Sequence, residues 1–392
     1  MVDTSEFRFI PYARQSISEA DIAAVIEILK SDWLTQGPTL PRFEQTVADY
    51  CGARYAVAVS SATAGLHLAA LAAGLQPGDV LWTSPNTFVA SANCALYCGA
   101  NIDFVDIDPQ TYNLDAQKLA AKLAQADAMG RLPKVVIPVH FSGQSCAMEP
   151  IAALAEKYGF QIIEDAAHAI GGSYQNQPVG NCQYSDMTVF SFHPVKIITT
   201  GEGGMVLTNR LDLYEKLIRL RTHGISRNPE LLTHPDPPPW YYEQLELGYN
   251  YRMTDIQAAL GISQMQRLNR FVERRRQLAQ RYDELLQDLP VILPKQATDT
   301  ESSWHLYVVR LRLDEIKKSH RQIFEELRAN NIGVNLHYIP VHTQPYYQQL
   351  GFQWGDFPEA EKYYQEAMTL PLYYELTEAE QDRVVDALKN LL

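Results

Sequence analysis

Short apolar runs alternate with helix-like stretches from residue 56 to residue 165, and this alternation limits the possible folds more than any other feature of the chain. The apolar runs lie at 56–60, 80–84, 102–106, 135–139 and 161–165. The stretches between them, at 61–74, 88–98, 115–127 and 147–158, carry the spacing and composition of helices. Strands joined through helices return to the same end of a sheet by right-handed crossovers, so the expected fold class is α/β with a large, mainly parallel sheet. Ligands in such sheets bind beyond the carboxyl ends of the strands. That rule gathers residues 60–63, 86–88, 165–168 and 191–196 into one expected cluster.

The last of these segments is the most unusual. Apolar runs at 187–192 and 204–209 flank a loop with Ser191, His193 and Lys196 and a glycine-rich return at 201–204. Lysine is rarely buried without a partner. Two readings of Lys196 stand side by side: a surface lysine that snorkels to water, or a desolvated amine that attacks a carbonyl as a Schiff-base nucleophile. The other segments have plain and chemical readings too. Ser61, Ala62 and Thr63 open a helix, where free amides and the helix dipole favour a phosphate, although an ordinary Ser/Thr cap has the same sequence. Phe88 stacks on a flat ligand or fills a core. Asp165 ends an apolar strand, where a carboxylate needs a cation or several donors to stay ionised. His168 stands three residues on, and Ser191 offers a hydroxyl. Together, the phosphate cradle, the aromatic ring, the strand-end carboxylate and the loop lysine match one cofactor, pyridoxal phosphate. It binds lysine as a Schiff base and sets a carboxylate against its ring nitrogen.

Length and charge narrow the partners. At 392 residues the chain exceeds one ordinary core, and two domains are expected, 1–255 and 256–392. There are 33 Lys and Arg against 46 Asp and Glu, a formal net charge of -13 that argues against nonspecific nucleic-acid binding. The cysteines, Cys51, Cys94, Cys98, Cys146 and Cys182, form no Cys-x-x-Cys pair, so neither a disulfide framework nor a metal site is expected. Reduced thiols fit a cytoplasmic location. No run approaches the roughly 18 apolar residues of a membrane span, and residues 1–15 lack the apolar core of a signal peptide.

Two helices, at 18–30 with Ser18 as N-cap and at 40–50, precede the alternating region. In the loop between them Trp33 either plugs the core or faces a flat ligand. Beyond residue 255 the pattern becomes that of a small α+β unit. Residues 256–289 read as one long helical stretch, with Arg274, Arg275 and Arg276 on its solvated face. Residues 304–313 read as a strand with Val309, Leu311 and Leu313 inward and Arg310 and Arg312 outward. Helices at 319–330, 359–368 and 377–391 and a strand near 332–337 complete the unit.

The motifs Ser60-Ser-Ala-Thr63, Glu164-Asp-Ala-Ala-His168, Ser191-Phe-His-Pro-Val-Lys196, Thr199-Thr-Gly-Glu-Gly-Gly204 and Gly248-Tyr-Asn-Tyr-Arg-Met-Thr-Asp255, in that order, resemble the DegT-type nucleotide-sugar aminotransferases over nearly the whole chain. The resemblance implies a fold-type I, aspartate-aminotransferase-like homodimer that uses pyridoxal 5'-phosphate. By position, Lys196 is the catalytic Schiff-base lysine and Asp165 pairs with the ring nitrogen. Phe88 stacks on the ring, and His168 lies beside it where many relatives have Gln. Ala62, Thr63 and Ser191 hold the phosphate, and Asn250 reaches the phosphate of the neighbouring subunit's cofactor. Within the family, residues 33–37, 304–307, 337–342 and 346–350 look most like the pseudaminic-acid branch. That branch aminates a UDP-4-keto-6-deoxy-N-acetyl hexose to UDP-4-amino-4,6-dideoxy-N-acetyl-β-L-altrosamine, with glutamate as the expected donor. It implies substrate contacts at Tyr12, at Asp32, Trp33, Leu34 and Thr35, and at His305, Leu306, Tyr307 and Val308. Neighbouring branches act on other keto sugar nucleotides with most of the same motifs. Dehydratases of the family carry histidine at the lysine position, so Lys196 favours transamination. A non-catalytic regulator has no use for Asp165, Ser191 and Lys196 together.

Overall fold

The computed structural model describes residues 8–392; the opening of the N-terminal stretch read for a signal core, residues 1–7, lies outside them. The main sheet has seven strands: β1 (Tyr55–Val59), β2 (Val80–Thr83), β3 (Asn101–Phe104), β4 (Val135–Ile137), β5 (Gln161–Asp165), β6 (Met187–Ser191) and β7 (Gly204–Thr208). Their spatial order is β1-β7-β6-β5-β4-β2-β3. All are parallel except β7, which runs against both of its neighbours. β6 and β7 are buried at every residue, as strands covered on both faces must be. Alternation divides their side chains between two layers: Val57, Val189 and Val206 face one core, while Ala58, Phe190 and Met205 face the other.

Helices α1 (Glu19–Leu29) and α2 (Thr39–Cys51) precede the sheet, and α3 (Ala62–Ala72) and α4 (Ala90–Tyr97) follow its first two strands. α3 lies directly on the sheet. A Cβ on its Gly65 would meet Val189, Val206 and Val59 at 3.0–3.3 Å, so a larger residue would lift the helix and carry its N-terminus away from the strand ends.

The C-terminal unit is a second, antiparallel sheet, β8 (Val291–Ile292), β9 (Tyr307–Leu311) and β10 (Ala367–Leu370), ordered β8-β9-β10. Leu278, Tyr282, Leu311, Ile323 and Val384 share its core with Ile10 from the other end of the chain. Ile10 forms a parallel bridge to Ile332. Among the described residues no helix is long and apolar enough to cross a membrane, and all five cysteines are free and buried.

Four expectations for this unit are corrected. The helical stretch at 256–289 is two helices, α5 (Asp255–Met265) and α6 (Leu268–Leu286), because the chain leaves helical geometry at Arg267. There the guanidinium turns back to the buried carboxylate of Asp21, which Ser263 and Gln264 also bond. Arg275 is not on a solvated face. A helix turns about 100° per residue, so consecutive arginines cannot share one face, and Arg275 falls on the side of Phe271, Leu278 and Tyr282. It is 1% exposed and donates to the carbonyls of Trp304, His305 and Leu372 at 3.0–3.2 Å. Burial lowers its pKa to about 10, so it stays charged at neutral pH. Arg310 is not outward either: helix α8 (Pro358–Glu366), the second helix after α7 (His320–Ala329), supplies Glu366 to its guanidinium on the far side of β9. The strand near 332–337 reduces to isolated bridges, Ile10 with Ile332 and Asn335 with Thr369, whereas the residues after Glu366 form the unforeseen β10.

Arg275 lends itself to a stability test. Arg275→Met keeps the length of the side chain but leaves three buried carbonyls without their donor. The expected cost is about 3 kcal/mol, since each orphaned buried acceptor costs roughly 1–3 kcal/mol and part is recovered by relaxation. Urea unfolding reads it as a lowered midpoint; an unchanged midpoint would show that the guanidinium anchors nothing.

Candidate active site

The carboxyl ends of β1, β5 and β6 open on a cavity of about 720 Å³. All four segments gathered by the strand-end rule line it: Ser61, Ala62 and Thr63 at the start of α3, Phe88 just before α4, Asp165 at the end of β5 with His168 beyond it, and Ser191 at the end of β6 with Lys196 beyond it. The opposite wall comes from Tyr12, His305 and residues 335–338. The main sheet therefore supplies the floor and the C-terminal unit supplies the lid of the same space.

Lys196 is half-buried in this floor. Burial lowers its pKa to about 8, and the carboxylate of Asp165 opposes the change only in part. Asp165 takes two hydrogen bonds from the protein, one from the hydroxyl of Ser91 to Oδ2 at 2.6 Å and one from the amide of Ala167 to Oδ1 at 3.1 Å. The neighbouring Glu164 points to the other face of β5, where His140 and Thr188 engage it. Only one of the two adjacent carboxylates therefore faces the cavity.

Burial keeps three rings of the cavity wall neutral, those of His168, His305 and His337. The amide of Ser142 donates to His168 Nδ1 at 3.2 Å, which places the ring proton on Nε2; that proton goes to the hydroxyl of Tyr338 at 3.1 Å. Burial holds His168 well below the usual imidazole range, with Lys196 and His337 adding to the effect. His305, whose ring centroid is 4.5 Å from that of His168, is lowered in the same way, and His337 is lowered to about 3. Three uncharged rings thus surround one amine and one carboxylate. Tyr338, having accepted from His168, keeps its own proton to donate.

The cavity does not collect every expected residue. Phe88 lines it only at the rim, where it is 57% exposed. Leu306, Tyr307 and Val308 are buried away from the cavity, and the Tyr307 hydroxyl donates to Asp283 in the C-terminal core. The motif spacing could not show that β9 begins at Tyr307 and turns these side chains into two cores. Asp32, Trp33, Leu34 and Thr35 lie exposed on the surface outside the cavity, which also corrects the reading of Trp33 as a core plug. Asn250 is exposed as well. These two segments are neighbours: the amide of Asp255 donates to the carbonyl of Leu34 at 3.0 Å, and Asp255 accepts from the amide of Gly37. Ser91, Asn335 and Tyr338 are site-forming residues that sequence reasoning missed, and Thr87 lay in an expected segment without a role of its own. Ser91 lies in an Ala-rich helical run with nothing to mark it, whereas Tyr338 lies within a motif noted only for its resemblance.

The sequence model of the DegT/DnrJ/EryC1/StrS aminotransferase family matches residues 15–389. The chain belongs to this family. The aminotransferase is 40% identical over 387 residues, 98% of this chain and 97% of the relative, to the spore coat polysaccharide biosynthesis protein SpsC of Bacillus subtilis. Among solved structures it resembles the putative sugar aminotransferase Spr1654 of Streptococcus pneumoniae in its PLP form, with a TM-score of 0.87 and 29% identity over 98% of both chains. It resembles PseC of Helicobacter pylori, an aminotransferase involved in the biosynthesis of pseudoaminic acid, with a TM-score of 0.88 and 29% identity over 98% of this chain and 99% of that one. The protein is a pyridoxal-phosphate-dependent aminotransferase of fold type I.

Its residues fit that cofactor. The Ser61 hydroxyl accepts from the amide of Ala64, while the amides of Ala62 and Thr63, at the first helical positions, have no carbonyl one turn back. Gly204 keeps their mouth open, because a Cβ there would lie 2.7 Å from the nitrogen of Ala62. Free helix-end amides, a carboxylate and an amine therefore share one cavity in this aminotransferase.

Proposed function

We propose that this enzyme aminates the keto carbon of a nucleotide-linked sugar, a UDP-4-keto-6-deoxy-N-acetyl hexose, giving UDP-4-amino-4,6-dideoxy-N-acetyl-β-L-altrosamine with glutamate as donor. The observation that carries the transamination is Lys196 and Asp165 lining one cavity with the free helix-end amides of Ala62 and Thr63. Pyridoxal phosphate supplies an electron sink for a carbanion. The chain's own residues do the rest. Ala62, Thr63 and Ser191 would hold the phosphate, Phe88 would cover a ring face, His168 would stand beside the ring, and Asp165 would keep the ring nitrogen protonated. Lys196, once its amine is free, moves a proton through Nζ, as base and then as acid.

The same proposal assigns the sugar nucleotide to the open side of the cavity. Tyr12 and His305 line it, and His305 Nδ1 is a buried polar atom without a partner among the described residues. The adjoining surface segments with Trp33 and Asn250 would act in a homodimer, each reaching the partner's site; their exposure and their direct link through Asp255 support this reading.

The likeness to PseC supports the choice of sugar. The higher identity to SpsC favours a second reading, another keto sugar nucleotide. A panel of UDP- and dTDP-linked 4-keto sugars, offered with glutamate and read by mass spectrometry, separates them. The UDP-4-keto-6-deoxy-N-acetyl hexose is expected to have the highest kcat/KM. A preference of more than about tenfold for a dTDP sugar or a UDP-4-keto pentose, roughly 1.4 kcal/mol in barrier, would remove the first reading and leave the aminotransferase intact.

A further inference from the structure

The carboxylate of Asp165 is gripped from behind. Ser91, the second residue of α4, is fully buried and does not line the cavity. Its hydroxyl lies 2.6 Å from Asp165 Oδ2, 2.8 Å from the hydroxyl of Thr87 and 3.3 Å from the carbonyl of Phe88. A serine has one proton to give. The shortest contact is to a carboxylate, which has none, so that proton goes to Asp165. The oxygen of Ser91 is then free to accept, and Thr87 donates to it. Thr87 lines the cavity, so the hydrogen-bond chain leaves the site wall at Thr87, passes through Ser91 and re-enters at Asp165.

We propose that Ser91 is a positioning residue that holds the carboxylate of Asp165 against the cofactor's ring nitrogen, with Thr87 fixing the direction of its hydroxyl; this rests on Asp165 serving that nitrogen. A charged carboxylate held in line with the ring nitrogen favours a proton there, and the ring remains a strong electron sink. Without the Ser91 donor the carboxylate is free to turn, the charged nitrogen loses its fixed partner and the ring's pull on electrons weakens. The buried bond also holds the carboxylate in one rotamer, since Oδ1 is tied to the amide of Ala167 at the same time.

The test uses the cofactor-loaded protein and its visible absorption band, whose pH titration reports the basicity of the nitrogen that joins Lys196 to the cofactor. A weaker ring pull makes that nitrogen more basic. Ser91→Ala is therefore expected to move the titration midpoint upward by at least half a unit and to lower kcat by about tenfold, the scale of one hydrogen bond to a charged group. KM for the amino donor is expected to stay within about twofold. Ser91→Thr, which keeps the hydroxyl, is expected to restore both values, and Thr87→Val to shift the midpoint in the same direction by less. An unchanged midpoint in Ser91→Ala, with or without loss of activity, overturns the proposal, because a merely structural serine would not move it. So does a threonine variant that shifts as far as alanine. Asp165→Asn is the control for the underlying reading. If its midpoint is unchanged, Asp165 does not govern the ring nitrogen and the proposal falls with it; if Asp165→Asn shifts and Ser91→Ala does not, only the role of Ser91 is lost.

Discussion

Lys196→Ala is expected to lose turnover by about 10⁴-fold, the upper range for a positioned acid–base group, while still binding pyridoxal phosphate through the amides of α3 and through Asp165. The pair of results matters more than either alone. A variant that fails to bind cofactor would place Lys196 among the structural supports, and one that turns over within tenfold of the parent would end its catalytic assignment. The lowered pKa adds a pH signature to the parent protein. An amine attacks only when neutral. With a pKa of about 8 in place of the usual 10.5, roughly one molecule in ten carries a neutral Lys196 at pH 7, against about one in three thousand for an ordinary lysine. Cofactor capture by the apoprotein, followed as the visible band appears, is therefore expected to accelerate with pH up to about 8 and to level off above it. An acceleration that continues to pH 10 would show that burial does not tune this amine.

Asp165→Asn is expected to lower kcat by about 10²- to 10³-fold, the scale for removing one preorganised electrostatic partner from a reacting centre. An amide presents an oxygen of nearly the same shape, so the packing of Ser91 and Ala167 against it is largely kept, but it carries no charge to hold a proton on the ring nitrogen. Single-turnover measurements with glutamate read the loss directly, and unfolding midpoints separate it from a collapse of the site. A loss of less than about fivefold would mean that some other group stabilises the charged ring.

Much of the floor of the site was legible in the sequence, because strand ends are fixed by local pattern. Asp165 is the last residue of β5 and Ser191 the last of β6, and both positions follow from apolar runs that stop. The free amides at the start of α3 follow from a strand, a short turn and an Ala-rich helix. The other wall was not legible. Residues 335–338 meet the cavity through irregular chain held by one isolated bridge, Asn335 with Thr369, which leaves no period to read. Arg275 and Arg310 were misplaced for a related reason. Charge alone sends arginine to the surface, but the three carbonyls that hold Arg275 and the Glu366 that holds Arg310 come from segments remote in sequence. Ser91 shows the limit most clearly: its partner lies 74 residues away, and nothing near it in sequence announces the bond.

The loop that bears Lys196 leaves the sheet at Ser191 and rejoins it at Gly204, and these two residues face each other across adjacent antiparallel strands. The amide of Phe192 also donates to the carbonyl of Gly203, so the loop is tied shut at its neck. A chain secured at both ends acts as a short leash. In the proposed role, a Lys196 released from the cofactor would stay within reach of the atom it must take back, and its return would be an encounter between parts of one molecule, where effective concentrations far exceed those of any free amine in solution. Free amines would then compete poorly for that position.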